Sequence, residues 1–374
     1  MSEAAAVSDR PPLSILHTCW EGHPSGQTRV ILDLARGQNR GGHQVRVACP
    51  TGSPLEAMVR SAGITPAPLF FERPAEAGAM IARIAREMRA DLVNAHSSRD
   101  RKAVLWARAR RRLEAAVVFT RHVRTLTFPL RLWWQSRGVD RIIAVSGDVA
   151  RRLKARGAPS GKIVVVPNGL PPGFLDGMPD ETAIQIARAR IAPLPGAPVI
   201  GVVSRRKAQE VLLKAARHIQ RPLNFAFIGI APEVALTKLG EATPQHRITF
   251  VPFVEDPRPY YACLAISALP SKQEGLSIAQ LESMALGLPF VGSRYAGIRT
   301  WSRTAWTACW WSTATRAPGR GRSSGCWTSR AWRSAWARQR GPKCSSRTRS
   351  SGPWRGRRRC TGKRSRCGAG VRNP

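Results

Sequence analysis

Short apolar runs alternate with amphipathic helical segments along residues 13–298, and this alternation constrains the fold more than any other feature. Strands separated by helices cannot pair as hairpins, so a repeated alternation predicts a doubly wound parallel sheet. In the first half we predict helices around Ala75 to Arg89 and Arg101 to Leu113, and the strands Leu13 to Cys19, Val45 to Cys49, Asp91 to Ala95, Val117 to Thr120, Arg141 to Val145 and Ile163 to Val166. A second series of strands comprises Val199 to Val203, Phe225 to Ile228, Ile248 to Val251, Ile266 to Leu269 and Phe290 to Gly292.

Two segments rich in Pro and Gly, at residues 167–173 and 193–198, separate the two series. A chain of 374 residues is long enough for two α/β domains with a core each. We therefore predict an N-terminal extension at 1–12, a Rossmann-like domain at 13–175, a second and incomplete Rossmann-like domain at 176–298, and a basic tail at 299–374.

The positive charge is concentrated in that tail. The whole chain has a net charge of +37, but the tail holds 20 Lys and Arg and no Asp or Glu, so the first 298 residues carry +17. This remainder suits an anionic membrane surface or a phosphorylated substrate at least as well as nucleic acid. We expect nucleic acid not to be a partner.

Three cysteines, Cys19, Cys49 and Cys263, lie in apolar segments without metal-ligand spacing and are predicted to be reduced core thiols. No apolar run follows a basic start, and no 18 consecutive residues are apolar, so we predict neither a signal peptide nor a membrane span. We expect a cytoplasmic protein with at most a peripheral contact at the inner face of the membrane.

The segment LPSKQEGLSIAQLESMALGLPFVGSRYAG, residues 269–297, predicts a strand, a turn and a helix. Ser277 is the predicted N-cap in a capping box with Gln280, and Gly287 is the predicted residue after the helix C-terminus. The exposed N–H groups of such a helix attract phosphate. Glu274 in the turn and Glu282 in the helix offer carboxylates to sugar hydroxyls, although two solvated surface glutamates are the alternative interpretation.

This segment resembles the E-x7-E signature of the retaining GT-B glycosyltransferases of family four, and the resemblance extends over residues 13–298. It implies an α/β fold of two Rossmann-like domains that face a cleft. It also implies that Glu274 lies beside the donor sugar, that Glu282 binds the ribose, and that Gly275, Leu276 and Ser277 line the donor site.

The same resemblance assigns further residues. Arg205 and Lys207 correspond to a family pair that neutralises the donor diphosphate, although the spacing is shorter and Ala208 replaces a Gly. Ser25 and Gly26 correspond to a Gly-rich turn that lets the backbone approach the donor phosphate or the acceptor, and His122 corresponds to a catalytic-site His beside the donor sugar. His96 also ends a strand. The alternatives are exposed loop cations and structural histidines.

The activity that the resemblance implies is transfer of a sugar from a nucleoside diphosphate sugar to a hydroxyl acceptor on a cell-surface glycan or glycolipid, of lipopolysaccharide type. No Asp-x-Asp motif occurs, so we expect no metal, and no cofactor apart from the nucleotide-sugar substrate. Two alternatives differ in class: a nucleic-acid-binding protein acting through its tail, and, ranked last, a related epimerase or phosphorylase.

Many basic residues occur between Arg99 and Arg156, and RKAVLWARARRRL sets Leu105 and Trp106 among arginines. A solvated helix face is one interpretation. The other is a peripheral contact with anionic lipid, where a lipid-linked or lipopolysaccharide acceptor would reside.

The tail has no Leu, Ile, Met, Phe, Tyr, His, Asp or Glu, yet it holds eight of the twelve Trp and five of the eight Cys. A disordered basic arm is one interpretation, but such arms are poor in Trp and Cys. Back-translation of residues 300–316 with GC-rich codons, read one base earlier, gives HLVEDGLDGLLVVDRDP, which resembles the family's continuation. We therefore favour a shifted reading frame after residue 298 and expect the chain as written to be inactive and poorly soluble.

Overall fold

A computed structural model describes residues 11–122, 129–293 and 308–311 of the chain. Two parallel sheets, each flanked by helices, make up this part, so the predicted doubly wound α/β fold is confirmed. The first sheet has the strand order β3-β2-β1-β4-β5-β6-β7 and the second β10-β9-β8-β11-β12-β13.

The strands of the first sheet are β1 (Ser14–Thr18), β2 (Gln44–Pro50), β3 (Thr65–Leu69), β4 (Leu92–Ala95), β5 (Ala116–Arg121), β6 (Arg141–Ala144) and β7 (Ile163–Val165). Between them lie α1 (Gly26–Arg40), α2 (Pro54–Ser61), α3 (Pro74–Glu87), α4 (Ser98–Ala109), α5 (Pro129–Arg137) and α6 (Gly147–Ala155), with a 3₁₀ turn at Ser160–Lys162. Ile31, Leu55 and their neighbours cover one face of the sheet, while Ile81, Val104 and Leu153 belong to the cluster that covers the other.

The second sheet contains β8 (Val199–Val203), β9 (Asn224–Ile228), β10 (Arg247–Val251), β11 (Ile266–Leu269), β12 (Phe290–Ser293) and β13 (Ala308–Trp311). Its helices are α7 (Glu181–Ile191), α8 (Gln209–Ala216), α9 (Val234–Glu241), α10 (Arg258–Ala262) and α11 (Ile278–Ala285). Alternate residues of β8 divide the core: Ile200 packs with α8 and α9, whereas Val199 packs with α7 and α10.

Strand β3 is absent from our prediction because its sequence, TPAPL, contains two prolines. Proline lacks an N–H donor and is tolerated only where that side of a strand needs no partner. Strand β3 is the edge of the first sheet and pairs with β2 alone, so the prolines are accommodated. Ala67 and Leu69 nevertheless face the core.

Three further details differ from the prediction. Helices α2, α5 and α6 lie in segments for which we predicted no helix. Helix α4 ends at Ala109 instead of Leu113, and Arg111 beyond it has a φ of 53°, which is incompatible with a continuing helix. The predicted tail contributes β13, which pairs in parallel with β12, so the second sheet has one more strand than we predicted. The rest of the predicted tail and residues 1–10 lie outside the described residues.

Candidate functional site

Both sheets reverse their strand order next to the first strand of the series, between β1 and β4 and between β8 and β11. In open parallel sheets the loops leave such a point in opposite directions, and the crevice beyond the carboxyl ends of the strands is a general ligand site. The predicted site residues lie at these two points. His122 follows β5 beside the first, Arg205 and Lys207 follow β8, and Glu274 follows β11.

Lys207 and Glu274 lie in direct contact at the second of these points. Lys207 Nζ is 2.8 Å from Glu274 Oε1, and the two side chains are largely buried. Gln209 Oε1 accepts a hydrogen bond from the Lys207 backbone N–H and thereby fixes the loop that carries the lysine. A cation and an anion brought together by two separate loops form a compact polar site that can bind both a phosphate and a sugar hydroxyl.

Glu282 is buried on α11 and has two partners. Arg29 Nη1, from the other domain, is 3.1 Å from Glu282 Oε1, and Tyr261 donates a 2.8 Å hydrogen bond to Oε2. Burial raises the pKa of the Glu282 carboxyl, although Arg29 and Tyr261 oppose this shift. The alternative of a solvated helix residue is therefore wrong for Glu282, which is only 2% exposed.

Arg205 forms a second ion pair between the domains. Its guanidinium contacts the carboxylate of Glu21, which lies in the loop between β1 and α1, and the Arg205 side chain remains 57% exposed. The predicted diphosphate-binding arginine thus already holds an anionic group in the cleft.

The turn after β11 is pressed against the first domain. A Cβ placed on Gly275 would lie 1.9 Å from the carbonyl oxygen of His122, so only glycine fits there. The next residue, Leu276, is 4% exposed and belongs to the hydrophobic core of the first domain. Asn168 of the connection between the sheets donates a 3.3 Å hydrogen bond to the Leu276 carbonyl.

Two helix N-termini face this region, and serine caps each of them. Ser25 caps α1 in a full capping box with Thr28, and Ser277 accepts from the backbone N–H of Gln280 at the start of α11. Only the serine half of the box that we predicted at α11 is present. Gly26 begins α1, and a Cβ at this position would meet no atom within 4 Å. Protein packing therefore does not require the glycine.

Three buried imidazoles, His17, His96 and His122, form a continuous row, which we call the histidine row. His96 Nε2 is 2.9 Å from His17 Nδ1, and His96 Nδ1 is 2.9 Å from His122 Nε2. Burial lowers the pKa of all three, that of His122 to about 3, so the rings are neutral near pH 7.

The end of β5 also carries a residue that the sequence analysis missed. Arg121 is 5% exposed, and its Nε has no hydrogen-bond partner within the described part of the chain. Burial lowers the pKa of this guanidinium, and the nearby Arg101 lowers it further. Val117 and Phe119 of β5 are buried, and the alternation of the strand places residue 121 on the same side. This pattern could have indicated the burial of Arg121, but a buried position in a strand is usually occupied by an apolar residue.

In the basic stretch that we considered as a lipid contact, the apolar residues are packed, whereas Lys102, Arg110, Arg111 and Arg112 are exposed. Leu105 lies in the core, and Trp106 is half-buried beneath the guanidinium groups of Arg110 and Arg112, 5.5 and 5.3 Å from its ring. Helix α5 also carries exposed apolar residues: Leu130 and Trp134 are 77% and 62% exposed, and elsewhere in this domain Phe70 is 70% exposed.

Over residues 11–122, 129–293 and 308–311, no three His, Cys, Asp or Glu side chains are grouped so that they could hold a metal ion. Across the same ranges, no helix is long and apolar enough to cross a membrane.

Comparison with protein families gives two matches. Residues 24–174 match the family Glycosyltransferase Family 4, and residues 197–311 match the family Glycosyl transferases group 1. A curated relative, the D-inositol 3-phosphate glycosyltransferase of Nocardiopsis dassonvillei, is 28% identical over 184 residues. That alignment covers 44% of this chain and only 42% of the relative.

Several solved glycosyltransferase structures share the fold. A glycosyltransferase of Rickettsia africae ESF-5 superposes with a TM-score of 0.66 at 17% identity, over 77% of this chain and 81% of that one. The Anabaena protein Alr3699/HepE, in complex with UDP-glucose, gives 0.62 at 18% over 77% and 82%. WaaG, a glycosyltransferase involved in lipopolysaccharide biosynthesis, gives 0.55 at 15% over 76% and 82%. Together with the two family matches, the shared architecture places this chain among the GT-B glycosyltransferases.

Proposed function

We propose that the protein transfers a sugar from a nucleoside diphosphate sugar to a hydroxyl acceptor, with retention of configuration and without a metal ion. The observation that carries this proposal is the contact of Lys207 with Glu274 at the switch point of the second sheet, beside His122 of the other domain. UDP-glucose in the related Anabaena structure makes uridine donors the first to test.

The proposed roles follow from charge and position. Lys207 and Arg205 bind the diphosphate, Glu282 the ribose, and Glu274 the donor sugar, while Leu276 and Ser277 shape the donor side of the cleft. The bond from the anomeric carbon to the diphosphate breaks as the bond to the acceptor oxygen forms, and the acceptor proton passes to a departing phosphate oxygen. Cations and the N-terminus of α11 stabilise the negative charge that develops on that group.

Titration calorimetry with UDP-glucose, UDP and GDP tests this assignment. We expect Lys207→Met to weaken nucleotide binding about 10-fold or more, as loss of a charge-assisted contact does. Lys214→Met is the matched control, because Lys214 is exposed on the neighbouring helix α8 and should leave binding unchanged. Both variants are made in the restored reading frame proposed below. Equal affinities for them, or no binding of any nucleotide sugar by the restored-frame protein without substitutions, would contradict the proposal.

We propose a glycolipid acceptor of lipopolysaccharide type, presented at the inner face of the membrane to a peripherally bound enzyme. The support is helix α5, whose exposed Leu130 and Trp134 accompany Trp133, stacked 3.9 Å beneath the Arg137 guanidinium. Exposed aromatic residues among arginines favour the interface of an anionic bilayer. We expect flotation with phosphatidylglycerol vesicles, less with phosphatidylcholine, and loss of flotation in Leu130→Ser/Trp134→Ser but not in Ile186→Ser on the exposed face of α7.

A soluble phosphorylated acceptor is the second candidate, and Arg121 favours it. A buried guanidinium whose Nε has no hydrogen-bond partner among the described residues is costly unless an anion reaches it. The name of the curated relative, D-inositol 3-phosphate glycosyltransferase, supplies the acceptor to try first. Transfer to this acceptor in the absence of vesicles, abolished in Arg121→Leu, would favour it over the glycolipid.

We also propose that the reading frame of the gene is shifted after residue 298. Strand β13 supports this proposal, because residues 308–311 coincide with the apolar GLLV run of the alternative frame. A second support is an apolar groove on the α8 face of the second sheet, lined by aliphatic and aromatic residues including Ile200, Leu212 and Val291. Uncovered apolar sheet surface is what loss of the last elements of this domain would leave. Two experiments test the frameshift: sequencing of the source DNA through codons 290–374, and expression of the protein in both reading frames. The protein from the restored frame should have a higher soluble yield and higher activity. Equal solubility and activity of the two proteins would refute the proposal.

A further inference from the structure

The histidine row ends at a glutamine. Gln38, near the end of α1, places its Oε1 atom 2.7 Å from Nε2 of His17. The row therefore runs from a half-buried amide, through three buried rings, to His122 beside the cleft. Nδ1 of His122, the far end of the row, is buried and has no hydrogen-bond partner among the described residues.

The amide oxygen of Gln38 determines which ring nitrogen carries the proton in each histidine of the row. A neutral imidazole has one N–H donor and one acceptor nitrogen. The Gln38 oxygen can only accept, so His17 carries its proton on Nε2, and its Nδ1 must accept from Nε2–H of His96. His96 Nδ1 must in turn accept from Nε2–H of His122. Nδ1 of His122 is then an unprotonated lone pair.

The geometry points to Gln38 as a positioning residue that, through His17 and His96, makes His122 present a hydrogen-bond acceptor at the cleft. The class of ligand that fits such a lone pair is a hydroxyl or N–H donor of the bound substrate. That last step rests on the proposed function, whereas the tautomer assignment does not.

The opposite state would need only a rotation of the Gln38 amide. With its NH₂ group toward His17, every proton in the row would move to Nδ1, and His122 would present an N–H donor instead. Amide orientation is assigned from the hydrogen-bond network, so substitution of Gln38 is the decisive test. The Gln38→Glu variant would keep an acceptor at this end of the row, and the Gln38→Lys variant would supply only donors.

Histidine tautomers are read directly from the ¹⁵N shifts of ring nitrogens in the ¹⁵N-histidine-labelled full chain, with His17→Phe and His122→Phe variants for assignment. We expect the three rings to be protonated on Nε2 in the wild type and in Gln38→Glu, and on Nδ1 in Gln38→Lys. Asn39→Lys, which places the same charge on the neighbouring residue, should match the wild type. Should Gln38→Lys fail to fold, Gln38→Met replaces it, and a mixture of tautomers at His122 is expected. An unchanged single tautomer at His122 in the Gln38→Lys or Gln38→Met variant would overturn the inference.

Kinetics separate this inference from the proposed function. With a donor and acceptor that react, Gln38→Lys should lower kcat/KM roughly tenfold, the size of one lost hydrogen bond, and Gln38→Glu should not. Absence of sugar transfer in every variant made in the restored reading frame would count against the proposed function, while the ¹⁵N shifts would still decide the tautomer assignment.

Discussion

Arg29 and Glu282 join the two domains through an ion pair of 3.1 Å that is far more buried on one side than on the other: the arginine side chain is 32% exposed and the glutamate side chain 3%. Tyr261 is the other partner of the carboxylate. Glu282, the residue proposed to bind the donor ribose, is therefore also a contact between the domains. Its ion pair with Arg29 contributes to the free energy of unfolding of the whole molecule.

Substitution of Arg29 by Met should lower the free energy of unfolding by about 1–2 kcal/mol, because it leaves a buried carboxylate without its cation. The loss stays below the roughly 3–5 kcal/mol typical of fully buried pairs, since water screens the arginine. Urea unfolding measures the change. Arg36→Met, which removes a more exposed pair with Asp33 on the same helix, should change stability by less than about 0.5 kcal/mol. If Arg29→Met lowers the free energy of unfolding equally in the wild type and in a Glu282→Gln background, the ion pair is not the cause of the loss.

Alanine at Gly275 should separate the domains, because its Cβ would meet a backbone carbonyl that cannot rotate away. We expect a loss of about 1–3 kcal/mol in unfolding free energy and a larger radius of gyration in X-ray scattering.

The matched variant Gly26→Ala should keep or slightly raise stability, since open space surrounds it and alanine favours helix. Weaker nucleotide binding by Gly26→Ala at full stability would support close approach of the donor there, and unchanged binding would remove Gly26 from the site.

Acid should destabilise the protein through the histidine row. Because the folded pKa of His122 is about 3 and the ordinary value of a histidine is 6.5, the unfolded chain binds more protons between these values. The contribution of His122 to the free energy of unfolding is therefore fully present above pH 6.5 and is lost as the pH falls toward 3. The loss amounts to at most about 1.4 kcal/mol per pH unit. Asp100, whose pKa burial raises, acts in the opposite direction.

Denaturant unfolding between about pH 7 and pH 4 isolates the contribution of His122 when the wild type is compared with His122→Asn. The variant should show a shallower pH dependence of unfolding than the wild type. Parallel curves for His122→Asn and the wild type would mean that His122 titrates alike in both states.

Cys19 and Cys49 should resist alkylation in the folded protein. Both are buried, and burial raises the pKa of each thiol to about 12, so almost no thiolate forms at neutral pH. Peptide mapping after iodoacetamide should find both unmodified until denaturant is added. Cys263, which is half-buried rather than in the core as we predicted, is the internal comparison and should react earlier. Labelling of Cys19 at the rate of Cys263 would show that the first domain opens.

The sequence predicts most strands of both sheets because each central strand is a continuous apolar run between helices. It fails at β3, where prolines hide an edge strand, and it did not indicate helix α5. Lys207 and Glu274, which we predicted separately as donor-site residues, lie in contact. Their cross-domain neighbours could not be predicted: Arg205 and Glu21 are 184 positions apart, and no periodicity reports such a contact. Gln38 is similar, since only the packing of α1 on β1 brings it to His17.

Leu276 extends from the turn after β11 into the hydrophobic core of the first domain, and its burial there holds the two domains together. Any opening of the cleft wide enough to admit a nucleotide sugar by this route must withdraw that side chain into water, at a cost of about 1.5–3 kcal/mol. The opening equilibrium and the folding stability of the first domain are thereby linked. A substitution that leaves a cavity around Leu276 would therefore favour separation of the two domains, and a ligand that holds the turn after β11 in place would stabilise the core of the first domain without contacting it.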